Sequence, residues 1–174
     1  MTRILPLLLL LVLGGCKASE TARNGFDPAT GRSTYSSPRI LMDHVDLSGG
    51  LASNQRVMWR AMASCSGDGC TPNDVDLVFY NDADRGLNLD SRRVQIVFDG
   101  MTRDWEDLSR IEEPAAYSTP RGEFMRVSLS GLDFARMAEA REVEVILGMT
   151  GTTRLRVPHD RRNEFRALAA EIGL

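Results

Sequence analysis

Lysine is almost missing from this chain: of its 21 lysines and arginines only Lys17 is a lysine. Histidine is scarce as well, and His44 and His159 stand too far apart in sequence to read as a ligand cluster. The chain contains no GxSxG, HExxH, GxxxxGKS/T or GxGxxG segment. Those absences remove the serine-hydrolase elbow, the zinc-protease helix, the nucleotide phosphate loop and the dinucleotide glycine signature as readings. A formal net charge of -3 offers no basic footprint for a nucleic acid. No apolar run reaches the roughly 20 residues needed to cross a bilayer, and no segment repeats at a fixed period. The 174 residues suffice for one folded domain.

What is present begins with arginine. Its planar fork pairs with carboxylates and phosphates in a way that lysine cannot match, so an anion-binding surface is one reading of the bias. The arginines are scattered along the chain, which makes the base composition of a G+C-rich genome the plainer explanation.

The amino terminus is more specific. Residues 1–16 read MTRILPLLLLLVLGGC, with a basic Arg3, an apolar run over residues 4–13, two glycines and then Cys16. Basic start, short apolar core and small-residue cleavage site follow one another as in a secretory signal. The segment Leu13-Gly14-Gly15-Cys16 resembles the lipobox of bacterial lipoproteins. That resemblance covers only the first 16 residues and implies lipid on the Cys16 thiol, cleavage just before it, and a mature chain that begins there. Each buried methylene of an acyl chain contributes about 0.8 kcal/mol, and two chains together hold a protein on a membrane. In Gram-negative lipoproteins an aspartate after the cysteine retains the protein in the inner membrane. Lys17 at that position therefore favours the outer membrane, facing the periplasm, with a Gram-positive cell surface as the alternative.

Lipidation of Cys16 also resolves an odd cysteine count, leaving Cys65 and Cys70 as a pair in an oxidising compartment. They flank SGDG, whose glycines and aspartate favour a tight turn, so the expectation is a disulfide staple on a hairpin. A redox motif would place two residues between the cysteines rather than four, and a metal cluster would need further ligands nearby. Residues 17–37 are polar and lack a hydrophobic period, and read as a flexible tether spanning about 25 Å. This gives a removed signal over 1–15, a lipidated cysteine and tether over 16–37, and one globular domain over 38–174.

Within that domain, alternation predicts strands over 40–47, 56–64, 75–80, 94–98, 102–105 and 124–129. The second and third should form a hairpin around the cysteine turn, and Asp99-Gly100 should end the fourth. Ser130, with Asp133 three residues on, marks the start of a short helix to about residue 140. Runs over 142–147 and 152–157 should pair as another hairpin. Phe165, Leu168, Ala169 and Ile172 fall at helical spacing, and Gly173 supplies a stop. Strands dominate without a strand–helix–strand rhythm, which predicts an α+β fold: a mainly antiparallel curved sheet or flattened sandwich with two helices near the C-terminus.

Chemistry is harder to find. His44 lies beside Asp43 and Asp46, yet no nucleophile is assigned to it, and an alternating polar strand face explains it equally well. The loop over 81–90 gathers Asp82, Asp84, Asn88 and Asp90, but Arg85 precedes its glycine and Arg93 stands where a calcium loop would close with glutamate. A solvated hairpin loop is the better reading. Trp59 falls on an apolar strand face and reads as core. Trp105 is surrounded by charged residues and is the candidate for a partner contact. The sequence thus implies no catalytic residue, metal or cofactor. It points to a noncatalytic envelope protein that binds a protein partner or has a structural role, with a carrier or sensor of a lipid or small apolar ligand as the alternative.

Overall fold

Along residues 57–63 every second side chain is buried and the ones between are half-exposed, the period of two that a strand imposes when one face meets a core. The computed structural model describes residues 25–44, 57–81, 93–106, 123–147 and 153–174. Its strands are β1 (Gly25–Asp27), β2 (Arg32–Ser36), β3 (Ile40–Leu41), β4 (Asp43–His44), β5 (Val57–Ser66), β6 (Asp74–Asn81), β7 (Arg93–Phe98), β8 (Met101–Glu106) and β9 (Glu123–Ser130), followed by β10 (Val143–Leu147) and β11 (Thr153–Arg156). Helix α1 (Gly131–Glu139) separates β9 from β10, and helix α2 (Asn163–Glu171) ends the chain after a single 3-10 turn, His159–Arg161.

Two open sheets result, and every strand pair in them is antiparallel. One has the order β1-β2-β5-β6-β9, with β3 also on β5; the other runs β4-β11-β10-β7-β8. The fold is α+β, mainly antiparallel, with its two helices near the C-terminus. Trp59 and Phe79 stack with ring centroids 5.5 Å apart, and Phe165 of α2 meets Trp59 edge-on at 4.6 Å. Phe134 of α1 crosses Phe165 at 6.1 Å, so both helices dock on the first sheet through one aromatic cluster. The second sheet contributes Val94, Ile96, Phe98, Val145, Leu147 and Leu155 to the same core.

Local signals place these elements. Asp99 and Gly100 both have positive φ, 47° and 79°, as the two-residue turn between β7 and β8 requires. Asp99 then accepts the backbone N–H groups of Arg141 (2.8 Å) and Glu142 (3.2 Å), tying that turn to the exit of α1. Ser130 caps α1 by accepting the N–H of Asp133 at 3.2 Å. The edge strand β8 carries Arg103, Asp104 and Glu106, charges that discourage pairing with another chain.

Two sequence expectations change. The tether expected over 17–37 does not extend through the described residues from 25 onward: 25–37 carry a hairpin that extends the first sheet. It is held mainly by polar bonds, with only Tyr35 of its strands packed partly against the core, which is why no hydrophobic period marks it. Ser37 accepts the Ala61 N–H at 3.0 Å, Ser33 donates to the Gly67 carbonyl at 2.7 Å, and Gly67 N–H donates to the Gly31 carbonyl at 2.9 Å. The hairpin turn is fixed by Asp27, which accepts from Ala29 N–H and the Thr30 hydroxyl, both at 2.9 Å; these bonds hold its carboxyl below the usual range. In its described part, 40–44, the single strand expected over 40–47 is instead two short ones in different sheets. Met42, buried between them, marks the crossover from β5 to β11.

Candidate functional site

The 141–166 region brings together arginines from β11, from the entry to β10 and from the start of α2. In β11, Leu155 faces the core and its neighbours Arg154 and Arg156 face outward, as strand alternation dictates. The N–H of Val157 donates to the Val143 carbonyl at 3.1 Å, which holds the end of β11 beside the start of β10 and thereby sets Arg156 near Arg141 and Glu142. Arg162 and Arg166 are four residues apart at the start of α2 and so share a helical face, while Phe165 and Leu168 point into the core. These residues line a cleft of about 540 Å³ together with His159, Asp160 and Asn163. Four arginines face two carboxylates there, on a chain whose net charge is negative.

The arginines differ in how they are held. Arg156 makes a 2.8 Å ion pair with Glu144, its cross-strand neighbour, and that hydrogen bond raises the guanidinium pKa further. Arg166 reaches the Glu139 carboxylate at 3.5 Å and Asn163 at 3.3 Å. Arg162 is only 9% exposed, and among the described residues its guanidinium makes one hydrogen bond, to the Ala140 carbonyl at 3.1 Å. Its Nε is buried with no acceptor, and no carboxylate among the described residues pairs with it. Arg141 is exposed and forms no ion pair with the described residues. The position that would cap α2 is Arg162 itself, so no side chain caps the amides there.

A second hollow, of about 430 Å³, lies on the outer face of the first sheet and includes Arg32, Asp74, Asp76 and Arg126. Its lining balances two arginines against two aspartates: Arg126 grips Asp76 at 2.8 Å and 3.1 Å, and Arg32 donates to the Ser64 hydroxyl at 2.9 Å. The first cleft therefore stands out by its unmatched cations rather than by its size.

Cys65 and Cys70 form a disulfide with their Cα atoms 5.9 Å apart, bridging the end of β5 and the turn toward β6. Gly67 and Gly69 adopt positive φ in that turn, and the Tyr35 hydroxyl reaches the Cys70 carbonyl at 3.3 Å. A ring of this size stabilises by roughly 2 kcal/mol in the chain-entropy account. Replacing both cysteines with serine should lower the unfolding free energy by that amount in a urea titration. The purified protein, unfolded without reductant, should release no thiol from this pair.

Other residues singled out in the sequence fall as follows. Trp59 is fully buried. Trp105, on β8 opposite Val94, is half-buried and packs partly on the core. His44 lies on β4 opposite Leu155. Cys16 and the acidic loop residues 82–90 lie outside the described residues. Among the described residues no group of three or more His, Cys, Asp or Glu side chains could hold a metal ion, and no helix is long and apolar enough to cross a membrane. No family model, curated protein or solved structure matches this chain.

Proposed function

We propose that the chain is a lipid-anchored protein of the bacterial envelope, held through Cys16, whose folded domain acts by binding a partner protein. The observation that carries this reading is the agreement between two distant features. Leu13-Gly14-Gly15-Cys16 resembles an export and lipidation signal, and Cys65–Cys70 is a disulfide of the kind that persists in oxidising compartments. Lys17 favours the outer membrane, facing the periplasm. The exposed part of Trp105 is the aromatic contact proposed for the partner.

A carrier of a lipid or small apolar ligand is the other reading open from the sequence. Binding at the surface has more support, because Trp59, Phe79, Phe98, Phe134 and Phe165 fill the core and the two clefts described above are lined by charged groups.

Cys16→Ala tests the anchor: it should abolish incorporation of labelled palmitate into the expressed protein. Labelling that survives the substitution would refute lipidation at this residue. Crosslinking in intact cells should return one discrete protein partner; a diffuse, unsaturable ladder would count against the binding role.

A further inference from the structure

The unmatched cations of the arginine cleft say more about its ligand than the anchor does. Arg162 is buried, and among the described residues it lacks a carboxylate partner and keeps one nitrogen without an acceptor. Burying an ion that way costs several kcal/mol unless an opposite charge accompanies it. Arg141 adds a second cation without an ion pair among the described residues, while Arg156 and Arg166 sit beside carboxylates outside the cleft lining. Counting Glu139 and Glu144 with Glu142 and Asp160 of the lining, the region's charges balance, but none of these carboxylates pairs with Arg162 or Arg141 among the described residues. Two guanidiniums left without an ion pair suit a dianion better than a single carboxylate.

The geometry points to a phosphate monoester group as the occupant, bound by Arg162 and Arg141 at the start of α2. A phosphate monoester carries about -1.5 to -2 charges at neutral pH and three strong acceptor oxygens. Guanidinium forks meet such oxygens two at a time, and this is the setting in which arginine differs most from lysine. The start of α2 adds backbone donors that no side chain caps, and the positive end of its dipole. The cleft, at about 540 Å³, also accommodates more than a bare ion, so the group is carried by a larger molecule, either a soluble phosphate ester or a lipid headgroup. This site stands on the cleft alone and does not depend on lipidation at Cys16.

Calorimetry with the full-length chain carrying Cys16→Ala provides the test, with inorganic phosphate as the probe. Saturable binding in the millimolar range or tighter is expected, weakened about tenfold by Arg162→Ala because a charge-assisted pair is lost. Arg162 is buried, so the surface pair Arg141→Ala with Arg166→Ala gives an independent arm and should weaken binding to a similar degree. Arg32→Ala in the second hollow should leave it unchanged. Sedimentation with phosphatidylcholine vesicles, with and without phosphatidic acid, separates the sources. Arginine-dependent binding only when phosphatidic acid is present assigns a headgroup, and phosphate binding without it assigns a soluble ester. Absence of saturable phosphate binding, equal binding in the wild type and both arginine variants, or tighter binding of succinate than of phosphate would overturn the assignment.

Discussion

Replacing Trp59 with alanine is expected to remove about 4 kcal/mol of stability, read as a lowered midpoint in urea unfolding of the full-length chain. The indole is fully buried, lies stacked on Phe79, and receives the edge of Phe165. Alanine would leave a cavity at the point where β5, β6 and α2 meet, and both ring contacts would be lost with it. Domains of this kind have only about 5–15 kcal/mol in hand, so the variant should lose roughly a quarter to four-fifths of its stability. Phenylalanine at the same position separates volume from polarity. The Trp59 Nε1–H is buried without an acceptor among the described residues, an arrangement that costs about 1–3 kcal/mol. Trp59→Phe gives up ring area but also removes that donor, and should stay within about 1 kcal/mol of the parent. A cost below about 1.5 kcal/mol for Trp59→Ala would mean that the aromatic cluster does not hold the layers together.

That cluster belongs to the part of the fold that could be read from residue order. Val57, Trp59, Ala61 and Ala63 alternate with half-exposed neighbours because β5 is central to its sheet and one face meets the core. Asp99-Gly100 and Ser130 with Asp133 are similarly legible, since a positive-φ turn and a helix cap depend on one or two residues and their own backbone. The hairpin at residues 25–36 was not legible from periodicity. Its strands bury Ser33 and Ser36 rather than apolar side chains, and its register is set by backbone and hydroxyl bonds to β5 and to Gly67. A signal was available in Asp27-Pro28-Ala29-Thr30-Gly31, a run of turn-forming residues whose Gly31 takes φ 66°. The split of residues 40–44 between two sheets had no sequence signal of that kind, because a crossover at Met42 preserves the alternation that a single strand would show.

The arginine cleft was hidden for a different reason. Arg141, Arg156 and the pair Arg162 and Arg166 belong to three separate local contexts, and their convergence depends on how β10, β11 and α2 pack. Local spacing shows that Arg162 and Arg166 share a face, and that Arg156 points away from the side of Leu155. It does not show that those two faces meet. Scatter along the chain was therefore a poor guide to scatter in space. The same chain fold that conceals the cluster from sequence also makes it dependent on core packing, since Arg162 and Arg166 occupy the helix that Phe165 anchors.

Phe165→Ala is accordingly expected to have an effect close to that of Trp59→Ala, about 3–5 kcal/mol. Phe165 is 1% exposed and touches Trp59 on one side and Phe134 on the other, so its ring links α2 to the first sheet and to α1. Leucine at 165 would restore part of the volume without an aromatic edge, and should recover more than half of the loss. Because Trp59 and Phe165 share one contact, the double alanine variant should cost about 1 kcal/mol less than the sum of the single ones, the coupling expected for an edge-on ring pair. Urea unfolding of the four proteins measures that coupling directly. Strict additivity would show that α2 is held mainly by Leu168, Ala169 and Ile172, and that the ring pair contributes only by filling space. A measurable coupling would instead place the anchoring of the arginine-bearing helix on the Trp59–Phe165 contact, joining the stability of the core to the geometry of the cleft through a single pair of rings.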